Sequence, residues 1–235
     1  EEHGGLGLDH VTRTLVWEEL AAGGVGFAAT LLAGAVAPAF ISVLAPDNTE
    51  LIDAYVRPYC EDTQARQISA WGSSEPAIGS DGSNYYDPCV HHETTATRDG
   101  DAYVVHGAKS SFVSNGGIAN TFLVFACVEP ERGIPGSGVF LVPLGPGVER
   151  GKALDKLGLR TLNQAEIFFD AARVPQAHKI MPPGDAYPLI HNAIKTVGNL
   201  GVGCLAVGVL RAAYEEALAY AKERVQFGKP IVQHE

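Results

Sequence analysis

The sequence predicts an α+β protein in which helices come first, a β-domain follows and a long helix comes last. Three observations predict this order. Apolar residues recur at helical spacing over the first sixty-odd positions. Short β-branched or alternating runs, separated by turn residues, fill the middle. A proline-free stretch then covers residues 192–227. We therefore divide the chain into a helical domain (1–66), a β-domain (67–182) and the first long helix of a second helical domain (183–235).

The N-terminal part should contain three helices. They are expected over residues 8–21, 25–44 and 48–59. Asp9 suits the N-cap of the first helix because its carboxylate can accept hydrogen bonds from the first free backbone N–H groups. Gly23 and Gly24 should end that helix, and Pro38 should break the second. No residue from Ala21 to Pro46 is charged, but the glycines, the proline and the acidic flanks favour buried helices over a membrane span.

The middle of the chain should form a sheet. The candidate strands are residues 67–71, 94–98, 102–107, 111–114, 121–128, 137–143, 166–169 and 172–174. Asp99 and Gly100, between two of these runs, indicate a hairpin. Since no helical pattern separates the strands, an antiparallel sandwich or barrel is expected.

The last segment should be one long helix. Its first half is rich in glycine and alanine, which allow another backbone to approach closely, and its second half, residues 211–226, is amphipathic. Gly228 and Pro230 should stop it.

Composition limits the possible functions. A hydrophobic fraction of 46% with 19% charged residues is typical of an ordered globular protein. A net charge of -10 argues against a duplex nucleic-acid binder, which needs cationic side chains, but permits a phosphate-bearing ligand. The four cysteines are widely spaced and are interpreted as free thiols. His91 and His92 would face opposite sides of a strand, so we predict no metal site. No signal peptide is visible, and a bacterial cytoplasm is favoured over a mitochondrial matrix.

Three separated segments carry the chemistry of the chain. Residues 73–81 form a Ser/Gly/Pro-rich turn whose N–H and hydroxyl groups could hold an anionic or polar ring edge, or could simply be a surface loop. Residues 109–117 read as a strand ending in a turn, or as an ordinary sheet edge. Residues 223–230 place Arg224 near Phe227 at a helix end, which suits a pyrophosphate or, alternatively, a solvated basic turn.

Together these segments resemble the acyl-CoA dehydrogenase family. The matching phrases are Ser-Glu-Pro-x-x-Gly-Ser-Asp, Gly-x-Lys followed by Ser-Asn, and Glu-Arg-x-Gln-Phe-Gly-Lys. The resemblance implies that FAD contacts Trp71, Gly72, Ser73, Ser74, Phe112, Val113 and Ser114, and that the FAD of a neighbouring subunit contacts Arg224, Gln226 and Phe227. It also implies that substrate contacts Ser80, Thr196, Val197, Gly198 and Asn199.

The chain departs from the family pattern at three places. An additional residue between Lys109 and Asn115 leaves open whether Ser111 or Phe112 faces the flavin ring. The Asp and Arg that the family commonly has in the turn at residues 196–199 are missing, which leaves the substrate class open. The tract at residues 82–93 is longer than usual and could form a lid or a surface hairpin.

The activity implied by the resemblance is FAD-dependent α,β-dehydrogenation of an acyl-CoA thioester by a homodimer or homotetramer, with electrons passed to an electron-transfer flavoprotein. The family's usual catalytic Glu is expected after Glu235, and the position that holds the base in some members is Gly198. The chain, which opens on a Glu-x-Gly-Gly-Leu-Gly phrase at Glu2, resembles the central portion of a family member. The alternatives are a flavin-dependent oxidase or monooxygenase of the same fold, and a non-catalytic subunit or fragment that lacks the base.

Overall fold

The computed structural model describes residues 3–234, so Glu2 and Glu235 lie outside the described residues. Its α-helices are α1 (His10–Gly34), α2 (Val36–Leu44), α3 (Thr49–Leu51), α4 (Arg57–Glu61) and α5 (Tyr187–Glu223). A π-helical turn, Ile52–Val56, joins α3 to α4. Two compact units are present: one contains Thr30–Lys195 and the residues up to Gly7, and the other contains Leu8–Ala29 and the residues from Thr196 onward. The division at residues 66 and 182 remains a prediction.

The start of α1 confirms the predicted cap. Asp9 Oδ1 accepts hydrogen bonds from the backbone N of Val11 at 2.8 Å and of Thr12 at 2.9 Å. The expected break at Gly23 and Gly24 is confirmed, since the backbone angles of Gly24 are not helical and two helices meet there at a kink. The apolar residues that follow continue the second of these helices to Gly34, so α1 as a whole runs from His10 to Gly34.

The second expected helix breaks three residues before its proline. Ala35 separates α1 from α2, and Pro38 lies buried in the first turn of α2. Proline is tolerated there because the first N–H groups of a helix have no acceptor within the helix.

The described strands are β1 (Ser69–Gly72), β2 (Thr95–Asp99), β3 (Ala102–Ser114), β4 (Thr121–Cys127), β5 (Ser137–Pro143), β6 (Val148–Arg150), β7 (Gln164–Pro175), β8 (Lys179–Met181), β9 (Val225–Gln226) and β10 (Lys229–Pro230). The candidate runs at 102–107 and 111–114 belong to the single strand β3, and those at 166–169 and 172–174 belong to β7. The sequence analysis missed β6 and β8, which are three residues long and too short to show a period.

The main sheet has the order β6-β7-β3-β2-β4-β5-β8, and β1 also pairs with β4. The β1–β4 and β2–β4 pairs are parallel, and the other pairs are antiparallel. The sheet is therefore mixed rather than wholly antiparallel, within the α+β class that was predicted. The hairpin at Asp99 and Gly100 is confirmed, since Asp99 pairs with Ala102 and Gly100 has a φ of +65°.

Strand β4 lies between two apolar clusters, and all seven of its residues are buried. Leu123 and Phe125 belong to the cluster that includes side chains of α2, whereas Phe122 and Val124 belong to the cluster on the opposite face. Successive side chains of a strand alternate between faces, so burial on both faces requires the unbroken apolar run seen in the sequence.

In the second unit, α5 ends earlier than the sequence suggested. The helix stops at Glu223, and residues 225–230 form a small antiparallel hairpin, β9–β10. Its two loop residues, Phe227 and Gly228, have φ values of +51° and +79°. Paired left-handed residues match the twist of a two-residue hairpin, and glycine adopts this conformation without steric cost. The expected helix up to residue 226 is therefore wrong at its end.

Two helical segments, His10–Leu44 and Tyr187–Glu223, are long and apolar enough to cross a membrane by length and composition. This is weak evidence, since the core helix of a soluble protein passes the same test. The absence of a membrane span therefore stays a prediction. The four cysteines are free, as predicted.

Candidate functional site

The first predicted segment forms a sharp turn at the exit of β1. Glu75 and Ile78 exchange backbone hydrogen bonds, with N···O distances of 2.8 and 3.2 Å. A short 3₁₀ turn, Ser80–Ser83, follows. Ser73 and Ser74 are half-buried and Ser80 is exposed. The backbone thus presents two small hydroxyl residues beside the sheet, as the sequence pattern predicted.

The second predicted segment lies alongside this turn. The backbone N of Ser110 donates to Ser74 O at 3.0 Å, and Asn115 Nδ2 donates to Ser69 O at 3.3 Å. These two bonds hold residues 111–114 alongside β1, one at Ser69, the first residue of the strand, and the other at Ser74, shortly after its last residue. The structure therefore brings together residues 71–74 and 112–114, which lie some forty positions apart in the chain.

A β-bulge accommodates the additional residue between Lys109 and Asn115. Lys109 pairs with Ile167 and Val113 pairs with Ala165, so four steps along β3 match only two along β7. Within the bulge the side chain of Phe112 is 53% exposed, whereas Val113 is 4% exposed. Phe112 is therefore the aromatic side chain that this segment offers to a ligand.

A buried ion pair that the sequence analysis did not single out lies beneath the turn. Lys109 Nζ is 2.5 Å from Glu75 Oε1, and both side chains are fully buried. Lys109 Nζ also donates to Phe125 O at 2.5 Å and contacts Ser73 O at 3.5 Å. Burial lowers the pKa of Lys109 to about 8, while Glu75 acts in the opposite direction.

Glu75 also anchors the backbone that leads into β2. Its Oε2 accepts from the N of Glu93 at 2.6 Å, and its Oε1 accepts from the N of Thr94 at 3.1 Å. The sequence offered one signal for this pair. Glu75 follows two serines, and Lys109 is a charged residue inside an alternating strand pattern. Their separation of 34 positions hid the contact.

The indole of Trp71 belongs to the core. Its ring stacks on Phe125 with a centroid distance of 5.2 Å and meets Phe40 edge-on at 4.9 Å. Trp71 therefore leaves only its backbone and the exposed part of its ring for a cofactor, and the contact predicted for it remains a prediction.

The tract at residues 82–93 is a loop tied to the start of α5, and it contains no hairpin. Tyr85 Oη lies 2.8 Å from His191 Nδ1 and donates to Asn192 Oδ1 at 3.0 Å. Lys195 Nζ donates to Ser83 Oγ. Burial, and secondarily Lys195, lower the pKa of His191 to about 4.

His91 and His92 lie before β2 rather than within a strand. His92 is buried, with its Nδ1 2.8 Å from Ser137 Oγ, while His91 is half-buried. Among the described residues no group of three or more His, Cys, Asp or Glu side chains could hold a metal ion.

The other predicted ligand residues belong to the second unit. Thr196, Val197, Gly198 and Asn199 are exposed on one turn of α5. Arg224 is exposed directly after α5, Gln226 is in β9, and Phe227 is 95% exposed in the hairpin loop. Their contact with a cofactor or a substrate remains a prediction.

The donors of the first unit are chemically compatible with FAD. Since the carbonyl of Ser73 faces Lys109, the trans peptide directs the N–H of Ser74 the opposite way. Ser110 Oγ is buried without a hydrogen-bond partner among the described residues. A Cβ at Gly72 would lie 3.0 Å from Lys109 Cγ, so the backbone is closely fitted there. N–H groups, small hydroxyls and an exposed aromatic ring suit the polar edge and the face of a flavin.

Two family models match the chain. Residues 70–172 match the middle domain of acyl-CoA dehydrogenases, and residues 193–235 match their C-terminal domain. Among curated relatives, the cyclohex-1-ene-1-carbonyl-CoA dehydrogenase of Syntrophus aciditrophicus is 31% identical over 231 residues, which is 98% of this chain and 53% of the relative. The chain thus spans about half the length of this relative.

Solved structures agree with these matches. Butyryl-CoA dehydrogenase of Megasphaera elsdenii has a TM-score of 0.86 at 31% identity, covering 99% of this chain and 59% of its own. A structure described for the electron transferring flavoprotein of Acidaminococcus fermentans gives 0.86 at 32%, with coverages of 99% and 58%. The FAD complex of PigA gives 0.82 at 30%, with the same coverages. The chain belongs to the acyl-CoA dehydrogenase family.

Proposed function

We propose that this protein oxidises an acyl-CoA thioester to its α,β-enoyl product with FAD as the cofactor. The observation that carries the proposal is the placement of residues 71–74 beside residues 112–114, bracketed by the Ser110–Ser74 and Asn115–Ser69 hydrogen bonds. The similar proteins support it, since two are dehydrogenases of CoA thioesters and a third structure is an FAD complex.

The residues of the chain then divide into three roles. Residues 71–74 and 112–114 hold the flavin edge, and bound FAD supplies the acceptor for a hydride from the β-carbon of the substrate. Arg224, Gln226 and Phe227 bind the FAD of a neighbouring subunit, so the active protein is a homodimer or a homotetramer. Ser80 and residues 196–199 contact the CoA thioester. An exposed Arg offers a bidentate donor for pyrophosphate, which supports the role of Arg224.

Removal of the α-proton requires a base that this part of the chain does not supply. Gly198 occupies the alternative position and has no side chain. We therefore propose that the base is a Glu located after residue 235. A carboxylate in an apolar site keeps a raised pKa and can accept a carbon-bound proton close to neutral pH.

The electron acceptor and the location complete the proposal. We infer that an electron-transfer flavoprotein receives the electrons, in agreement with the Acidaminococcus fermentans structure named above. A bacterial cytoplasm fits the Syntrophus and Megasphaera relatives.

The test is anaerobic addition of acyl-CoA thioesters, butyryl-CoA and cyclohex-1-ene-1-carbonyl-CoA among them, to the FAD-loaded full-length protein, with the Glu proposed after residue 235 included. We expect one of them to bleach the flavin absorbance. The Ser73→Ala, Ser74→Ala double variant should bind FAD more weakly, whereas Ser42→Ala, whose hydroxyl donates to Pro38 O within α2, should bind it normally. A flavin that no thioester bleaches would sink the proposal. Oxygen consumption with peroxide release would favour the oxidase or monooxygenase alternative.

A further inference from the structure

We propose that Lys109 and Glu75 form a positioning pair, which fixes the peptide between Ser73 and Ser74 so that its N–H faces the flavin. The inference rests on the proposed function, because FAD is the group that this turn would receive. Neither side chain would touch the cofactor, since both are fully buried.

The ammonium group of Lys109 has an acceptor for each of its N–H donors. Its ammonium has three N–H donors, and three acceptors surround it: Glu75 Oε1, Phe125 O and Ser73 O. Glu75 in turn accepts from the backbone N of Glu93 and of Thr94. The pair therefore ties together the β1 exit, the segment before β2, and strands β3 and β4.

Stability alone is a poor explanation for such a pair. Two charges taken out of water lose their hydration, and apolar residues of similar volume in their place are often as stable or more so. An apolar pair would, however, remove the contact of Lys109 Nζ with the carbonyl of Ser73. What the charges specifically provide is the orientation of backbone groups.

That orientation matters at the two serines. The carbonyl of Ser73 faces Lys109, and the carbonyl of Ser74 accepts from Ser110 N at 3.0 Å. With both carbonyls turned toward the sheet, the N–H of Ser74 and the two hydroxyls are the groups left for a ligand. Donors held in place before binding lose less entropy when the ligand arrives.

The experiment uses the full chain with Lys109→Met and Glu75→Gln combined, so that no unpaired charge is buried. The control is Val174→Ala. Val174 is buried and lies seven residues along β7 from Ile167, the residue that pairs with Lys109. The distance from Ile167 to Val174 along the strand is about 23 Å. For each protein we measure the melting temperature, the Kd for FAD and the visible circular dichroism of the bound flavin.

The double variant should bind FAD at least about tenfold more weakly, with an altered flavin dichroism, whereas the control should lose stability and keep its Kd within about twofold. If wild type binds FAD and the double variant matches it in Kd and dichroism, the inference is overturned while the proposed function stands. If wild type binds no FAD, both fail. Should the double variant not fold, Glu75→Gln alone is measured in the same way, and failure of both to fold overturns a positioning role.

Discussion

The histidine at the start of α5 should make the protein less stable in mild acid. His191 is 5% exposed, and its ring packs 5.4 Å from that of Tyr187 and 5.5 Å from that of Phe125. Burial is the main reason that its pKa falls from 6.5 to about 4, with the positive charge of Lys195 acting in the same direction. Replacing it by phenylalanine keeps an aromatic ring and removes the titration.

The direction of the effect follows from proton uptake. Between pH 6.5 and pH 4 the unfolded chain binds a proton at this position while the folded chain does not, so stability decreases as the pH falls through that window. With these two pKa values, the loss between pH 7 and pH 5 is about 2 kcal/mol, or closer to 1 kcal/mol once solvent screening is included. The stabilisation by neutral His191 is present above pH 6.5.

Urea unfolding at pH 7, 6 and 5 measures this loss. The stability of wild type relative to His191→Phe should fall by about 1–2 kcal/mol from pH 7 to pH 5. His178, whose pKa is also lowered by burial, is present in both proteins and cancels in the comparison. The pKa of His92 is lowered mainly by burial and to a smaller extent by His191, so only the His191 contribution to it changes. His10→Phe, which removes an exposed histidine of α1, is measured alongside as the control. A wild-type advantage that stays constant with pH would contradict the lowered pKa of His191.

Three further predictions test the packing. Leu123→Ala, at a fully buried position in β4, should cost about 2–5 kcal/mol of unfolding free energy in urea denaturation; a smaller loss would contradict the assigned core. Gly147→Ala should lower the melting temperature more than Gly100→Ala, because both have positive φ but only the former would place a Cβ 2.4 Å from a backbone carbonyl oxygen; equal shifts would contradict this geometry. In Ellman titration of the native protein, Cys89, which is exposed, should react first, and Cys127, whose pKa is raised by burial, last; the reverse order would contradict the burial assignment.

The elements of the fold were predictable where a local pattern sufficed. The cap at Asp9, the hairpin at Gly100 and strand β5 follow from a few neighbouring residues, and the structure has all three. The end of α5 at Glu223 and the continuation of α1 beyond the kink at Gly24 were not predictable in the same way. A glycine can end a helix or kink it, and the packing of the residues beyond it decides which.

Sheet topology was harder to predict, because strand pairing also depends on residues that are distant in the sequence. Strand spacing predicted the approximate positions of the long strands, although it divided β3 and β7 into two runs each. The parallel pairing of β1 with β4 joins residues about fifty positions apart. Nothing local records which edge a strand will join. The absence of helical patterns between strands favoured antiparallel neighbours, and it could not reveal that the chain leaves the sheet after β1 and returns beside it.

In the candidate site, too, local features were predictable from the sequence and contacts between distant residues were not. The turn-forming residues at 73–81 and 109–117 were enough to identify these two segments as candidate ligand-binding segments. That the two segments contact each other could be learned only from the tertiary structure. The Glu75–Lys109 pair is an example. Either charged residue, considered alone in the sequence, would be expected to be exposed to solvent. Its burial is compensated only when the opposite charge and the backbone hydrogen-bond partners are also present. A charged residue at a buried position of a strand is therefore a reason to search for an opposite charge elsewhere in the sequence. The turn at residues 73–81 contains two acidic residues, Glu75 and Asp81. Glu75 is the buried one, and it pairs with Lys109.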